Sequence, residues 1–303
     1  MTPGRSSSVD SRPGRLTAWI LASRPKTLPA AVAPVIVGTA VAARAGAFRP
    51  LAALAALLAA LLLQIGANYA NDLFDFKRGA DTETRLGPTR VTATGLLTPR
   101  QVAAGMWASF GLAALVGVYL IHVGGWPILF VGVLSILAAV AYTAGPLPLG
   151  YHGLGDLAVF VFFGLVAVVG AYYVQAHELT AVAFLAAVPM GALITAILVV
   201  NNIRDADTDR QAGKRTLAVL FGRRAARIEY VLLLLAAYVT PVVLWLACGA
   251  SAWVLLPLLS LLLAARLIRA IFTTLGPALN ITLAGTAQLA VVFAALFAAG
   301  LLV

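Results

Sequence analysis

Residues 51–67, "LAALAALLAALLLQIGA", run straight into residues 68–81, "NYANDLFDFKRGAD". The first stretch has Gln64 as its one polar side chain, and it suits a hydrocarbon core of about 30 Å, which takes about 20 apolar residues to cross. The second places two asparagines and three aspartates at the end of that crossing. Carboxylates beside a bilayer are costly unless they are paired or bind a metal. The junction therefore decides the fold class, an all-α integral membrane bundle, and marks where its chemistry should lie.

The composition agrees. Of 303 residues, 62% are hydrophobic and 11% charged, whereas soluble domains carry about 25% charged residues. The net charge of +10 does not imply nucleic acid, because the basic residues are scattered among apolar spans, where they set topology or attract anionic lipid. Cys248 is the single cysteine, so no internal disulfide can form, and it reads as a small buried apolar residue. Residues 1–15, "MTPGRSSSVDSRPGR", carry no cleavable signal and read as a disordered cytosolic tail. Residues 16–303 read as a single transmembrane domain.

Nine apolar spans are expected, at 27–46, 50–72, 102–121, 126–145, 154–174, 180–202, 228–247, 252–271 and 279–301. With the N-terminus inside, 19 of the 21 lysines and arginines fall on the inner side, leaving only Arg44 and Arg49 outside. The positive-inside rule therefore predicts a cytoplasmic N-terminus and, with nine crossings, an external C-terminus. Seven of the 11 acidic residues follow spans two and six: Asp72, Asp75, Asp81 and Glu83, then Asp205, Asp207 and Asp209. Those spans are four crossings apart, so both acidic ends must emerge on one face of the membrane.

Asn68, Asp72 and Asp75 lie at i, i+4 and i+7 on one helical face, flanked by Asn71; Asn202, Asp205 and Asp209 repeat the pattern at i, i+3 and i+7. Like charges aligned on one face repel, so a positive species is expected between them. Oxygen donors with no His or Cys nearby point to Mg²⁺, which binds a few carboxylates together with substrate phosphates. The expected ligand is a diphosphate, with Lys77, Arg78, Lys214 and Arg215 as direct donors to its oxygens. Asp207 points off the Asp205/Asp209 face and is expected to be solvated or to pair with Arg204 or Arg210. His122 and His177 read as interfacial residues, not ligands.

"NDLFD" (71–75) and "DADTD" (205–209) resemble the paired aspartate-rich motifs of the UbiA superfamily of intramembrane prenyltransferases. The wider stretches "SRPKTLPAAVAPVIVGTA", "NDLFDFKRGADTETRLGPTRVTATGLLTP", "YHGLGDLAVFVFFG" and "NNIRDADTDRQAGKRTLAVLFG" resemble its naphthoate-prenylating branch over about residues 20–225. The resemblance implies a nine-helix bundle around a central cavity, capped on the cytosolic side and open sideways to lipid, in the cell membrane. It implies that Mg²⁺ on Asn71, Asp72, Asp75, Asp205 and Asp209 activates a polyprenyl diphosphate toward 1,4-dihydroxy-2-naphthoate. The superfamily's third aspartate position is Gly79 here, and Asp81 two positions later is its candidate substitute. Arg24 and Lys26 are candidates for the acceptor's carboxylate, and Tyr142, Tyr151 and Asp156 for the cavity wall. Another aromatic acceptor (4-hydroxybenzoate, homogentisate, haem) and a cation-coupled transporter stay open as alternatives.

Overall fold

The computed structural model describes residues 13–79, 87 and 90–303, and every regular element among them is helical. They comprise α1 (Arg15–Ser23), α2 (Pro29–Arg44), α3 (Pro50–Lys77), α4 (Pro99–Gly124), α5 (Trp126–Ala141), α6 (Gly155–Ala176), α7 (Ala181–Gln211), α8 (Gly222–Ala247), α9 (Ala252–Thr273) and α10 (Gly276–Leu302). Proline opens α2, α3 and α4, where its missing N–H costs nothing and its fixed φ suits the first turn. Thr98 and Gln101 close a reciprocal capping box on α4. Gly125, at φ 75°, is the one-residue corner between α4 and α5.

Among the described residues, seven helices are long and apolar enough to cross a membrane, or eight when the bent pair Arg15–Thr27 and Pro29–Arg44 counts as one span. The nine crossings expected from the sequence are not all reached on this measure, because α5 has only 16 residues and the α1/α2 pair bends by 49°. The tail expected over 1–15 lies outside the described residues up to position 12, and α1 already begins at Arg15. No helix was expected there. The polar flanks hid a short segment whose Ala18 and Ala22 pack inward and whose Trp19 meets Tyr69 edge-on.

α7 is the central column. Of its most apolar window 67% is buried, against 17% for α3. One core joins α7 to α2, α6, α8 and α10, and a second joins α1, α3 and α4. Large exposed side chains such as Leu54, Leu115, Phe130 and Leu235 cover the outside, as a surface facing acyl chains requires. Small residues set the closest approach. A Cβ on Gly164 of α6 would stand 2.7 Å from Gly191 Cα of α7, so the two glycines let the backbones meet. Between Phe160 and Val169, α6 winds as a π-helix against α7.

Candidate functional site

A cavity of about 770 Å³ opens between the helices. Its polar lining comes from the last turns of α3 and α7 and from the segments beside them: Asn68, Asn71, Asp75, Arg90, Tyr142, Tyr151, Asn202, Arg204, Asp205, Asp209 and Lys214. Away from those turns the wall is apolar, with Ala56, Ala59 and Leu63 of α3, Ala113 and Gly117 of α4, Leu129 and Ile136 of α5, and Phe162 and Val166 of α6.

Both acid-bearing sequences continue their membrane helices, since α3 ends at Lys77 and α7 at Gln211. The two helix ends meet at one cation. Lys214 Nζ lies 3.8 Å from Asp75 Oδ1 and 3.7 Å from Asp209 Oδ1, so the two carboxylate oxygens are no farther apart than the sum of those contacts, about 7.5 Å. Asp75 is buried and accepts from Arg90 at 2.6 Å and from the Tyr151 hydroxyl at 2.7 Å. Asp205 takes a two-pronged ion pair from the buried Arg204 (2.7 and 2.6 Å), whose remaining nitrogen donates to Asn280 Oδ1 at 2.6 Å. Planar Arg–carboxylate forks of this kind fix geometry as well as charge.

Asp72 does something else. It is buried, does not line the cavity, and its two oxygens accept the backbone N–H groups of Val91 (3.2 Å) and Thr92 (3.1 Å). It anchors the segment that delivers Arg90 to Asp75. The asparagines also divide. Asn68 donates to Ser23 O (2.9 Å) and Thr27 Oγ1 (3.0 Å), while its Oδ1 faces the Gln64 amide at 3.4 Å. Asn71 Oδ1 accepts the Thr143 hydroxyl at 3.1 Å. Asn202 donates to Asp156 Oδ1 at 3.2 Å.

Of the four cations expected on the diphosphate, Lys214 alone lines the cavity. Lys77 is exposed and sits over the Phe74 ring, 5.4 Å from its centroid. Arg78 is spent on the carbonyls of Thr143 (3.1 Å) and Gly145 (2.6 Å). Arg215 is exposed, and its backbone N–H donates to Tyr151 O at 2.9 Å. Arg90 and Arg204, neither of them expected on the diphosphate from the sequence, line the cavity instead. Asp207 pairs with Arg223 (2.8 Å) and Arg210 (4.0 Å), not with Arg204. Arg24, Lys26 and Tyr142 all line the cavity, Arg24 from a left-handed backbone at φ 49° that ends α1. Asp81 lies outside the described residues.

The donor set suits a hard cation. Asp75, Asn202, Asp205 and Asp209 offer oxygen, and no group of three His, Cys, Asp or Glu among the described residues forms a ready-made cage. That combination fits Mg²⁺, which keeps its waters and takes one or two carboxylates plus phosphate oxygens. The guanidinium and ammonium groups already among these acids supply the remaining positive charge for a diphosphate.

Comparison with known proteins places the chain in one family and one fold. The model of the UbiA prenyltransferase family matches residues 31–278. A 1,4-dihydroxy-2-naphthoate octaprenyltransferase of Escherichia coli is 44% identical over 231 residues, covering 74% of this chain and 75% of its own. One from Mycobacterium tuberculosis is 44% identical over 248 residues, covering 82% and 84%. Among solved structures, a UbiA homolog from Archaeoglobus fulgidus bound to DMAPP and Mg²⁺ superposes with a TM-score of 0.66 at 15% identity, over 93% of this chain and 98% of that one.

Proposed function

The chain belongs to the UbiA prenyltransferase family, and from that premise we propose that it transfers a polyprenyl group from its diphosphate to 1,4-dihydroxy-2-naphthoate in menaquinone biosynthesis. The observation that carries this reading is the meeting of Asp75 and Asp209 at Lys214 beside an apolar cavity. A diphosphate needs the charged end, and an isoprenoid tail needs the other.

Asp75 of α3 and Asp205 and Asp209 of α7 would hold Mg²⁺, which when bound would supply Lewis-acid stabilisation of the leaving diphosphate. Around it, Lys214, Arg90 and Arg204 release part of their hold on the acids and donate to phosphate oxygens. The allylic C–O bond breaks, its electron pair leaves on the diphosphate, and the allyl cation is attacked by the electron-rich naphthoate ring. Loss of the ring's carboxylate as carbon dioxide returns its bonding electron pair to the ring and restores aromaticity, with no net loss of a proton. The walls of α4, α5 and α6 keep water from the cation. Arg24 and Lys26 face the same cavity and hold the acceptor's carboxylate, with Tyr142 against its ring. Counting the bent α1/α2 pair and the short α5 as crossings gives nine spans; with the basic flanks taken as cytoplasmic, the N-terminus lies inside and the site at the cytoplasmic face of the plasma membrane.

The test is release of inorganic diphosphate by purified protein in lipid, supplied with Mg²⁺, a polyprenyl diphosphate and the naphthoate. Release that depends on both metal and naphthoate is expected, with a prenylated, decarboxylated product by mass spectrometry. No release with any aromatic acid overturns the reading.

A further inference from the structure

Asp156 is buried in the first turn of α6 and has no place in the chemistry above. Its carboxylate Oδ1 accepts the side-chain N–H of Asn202, 3.2 Å away on α7, and its backbone carbonyl accepts the Thr195 hydroxyl at 3.4 Å. A carboxylate offers only acceptors, whereas an asparagine amide has a donor end and an acceptor end. Asn202 must therefore turn its NH₂ toward Asp156, and its Oδ1 takes the opposite side. Asn202 lines the cavity and lies three residues before Asp205. The two asparagines of the α3 turns have their oxygens engaged within the protein, Asn71 by Thr143 and Asn68 by Gln64, while Asn201, beside Asn202 on α7, also lines the cavity.

We propose that Asp156 is a positioning residue that fixes the amide of Asn202 with its oxygen toward the cavity, adding a hard ligand to the divalent-cation site. The inference rests on the metal-dependent reading above and assigns a part of that site which the aspartate motifs do not contain. Outer partners of this kind hold a ligand's orientation, and losing one costs roughly 10- to 100-fold in metal affinity.

The test is Mn²⁺ binding to the purified full-length protein, followed by the electron paramagnetic resonance signal of free Mn²⁺ and independent of turnover. Asp156→Asn lets either amide flip and is expected to weaken Mn²⁺ about tenfold. The exchange D156N/N202D puts the amide on α6 and the carboxylate on α7, so the same contact forms with donor and acceptor reversed and an oxygen still faces the cavity. It is expected to bind as the unaltered protein does. Glu229→Gln controls for charge, because it removes a carboxyl group on α8 that takes no part in the Asp156–Asn202 contact. It is expected to change Mn²⁺ affinity less than twofold. Equal losses in Asp156→Asn and Glu229→Gln reduce the effect to lost charge and overturn the proposal. So does an exchange no better than Asp156→Asn, or an Asp156→Asn variant that binds normally. If Asp156→Asn does not fold, Asp156→Glu tests the same contact, with a smaller loss of affinity expected and none overturning it. Absence of Mn²⁺ binding by the unaltered protein strikes at the metal-dependent reading instead.

Discussion

Asp72 and Asp75 are three residues apart on one helix and do different work. Asp75 faces the cavity, held by Arg90, Tyr151 and Lys214; Asp72 holds two backbone N–H groups away from it. Asp75→Asn should keep the fold and lower diphosphate release at least 100-fold in a turnover assay. Asp72→Ala should act first on stability, since two buried N–H groups lose their acceptor at about 1–3 kcal/mol each, read as a lower melting temperature in detergent. Lys214→Met should raise KM for the polyprenyl diphosphate about tenfold, while Lys77→Ala leaves it within twofold. Helical geometry accounts for the contrast among the cations. Lys77 is two residues beyond Asp75, about 200° around the helix, so it turns away. Arg78 falls just past the helix end and caps carbonyls. Arg215 follows Lys214 in an irregular link, where its backbone N–H is tied to Tyr151 O and its side chain is exposed. Nearness in sequence named all four, and only the local backbone separates them. Arg90 and Arg204 were beyond reach for the opposite reason: their partnerships depend on a segment folding back and on one side chain turning inward.

At the scale of the helix, the sequence was more legible. Apolar runs with Pro or Gly punctuation located the seven helices that are long and apolar enough to cross among the described residues, because a helix in lipid must satisfy its own backbone. The acidic turns were readable as continuations of two of these helices for the same reason. What hydropathy could not give is how closely helices approach or where one changes its winding. The Gly164/Gly191 contact and the π-segment of α6 come from packing. Gly191→Leu should push α6 from α7 and destabilise the protein by about 1–3 kcal/mol or more, seen as a lower unfolding temperature. Because α6 carries Asp156 and α7 carries Asn202, Asp205 and Asp209, activity should fall with it.

For the molecule as a whole, inside and outside are tied to the number of crossings. Nine put the two termini on opposite sides; eight put them together. Alkaline phosphatase fused after Val303 should be active, and a fluorescent protein at the same place dark, if α5 and the bent α1/α2 pair both cross. The reverse pattern would remove one crossing. Basic side chains beside the spans carry this reading, and no arrangement of the cavity could replace it.

α3 has a further bearing on the whole. It is 28 residues long, about 42 Å, and its apolar window is the least enclosed of the long helices, while its last turn holds Asp75, which meets Lys214. A rod gripped at one end and bathed in acyl chains at the other leans when the sheet of lipid around it becomes thinner or thicker. Its acidic tip would then swing against the partner helix, and turnover in vesicles should peak at one acyl length and decline on either side, tying quinone supply to the mechanical state of the membrane that uses it.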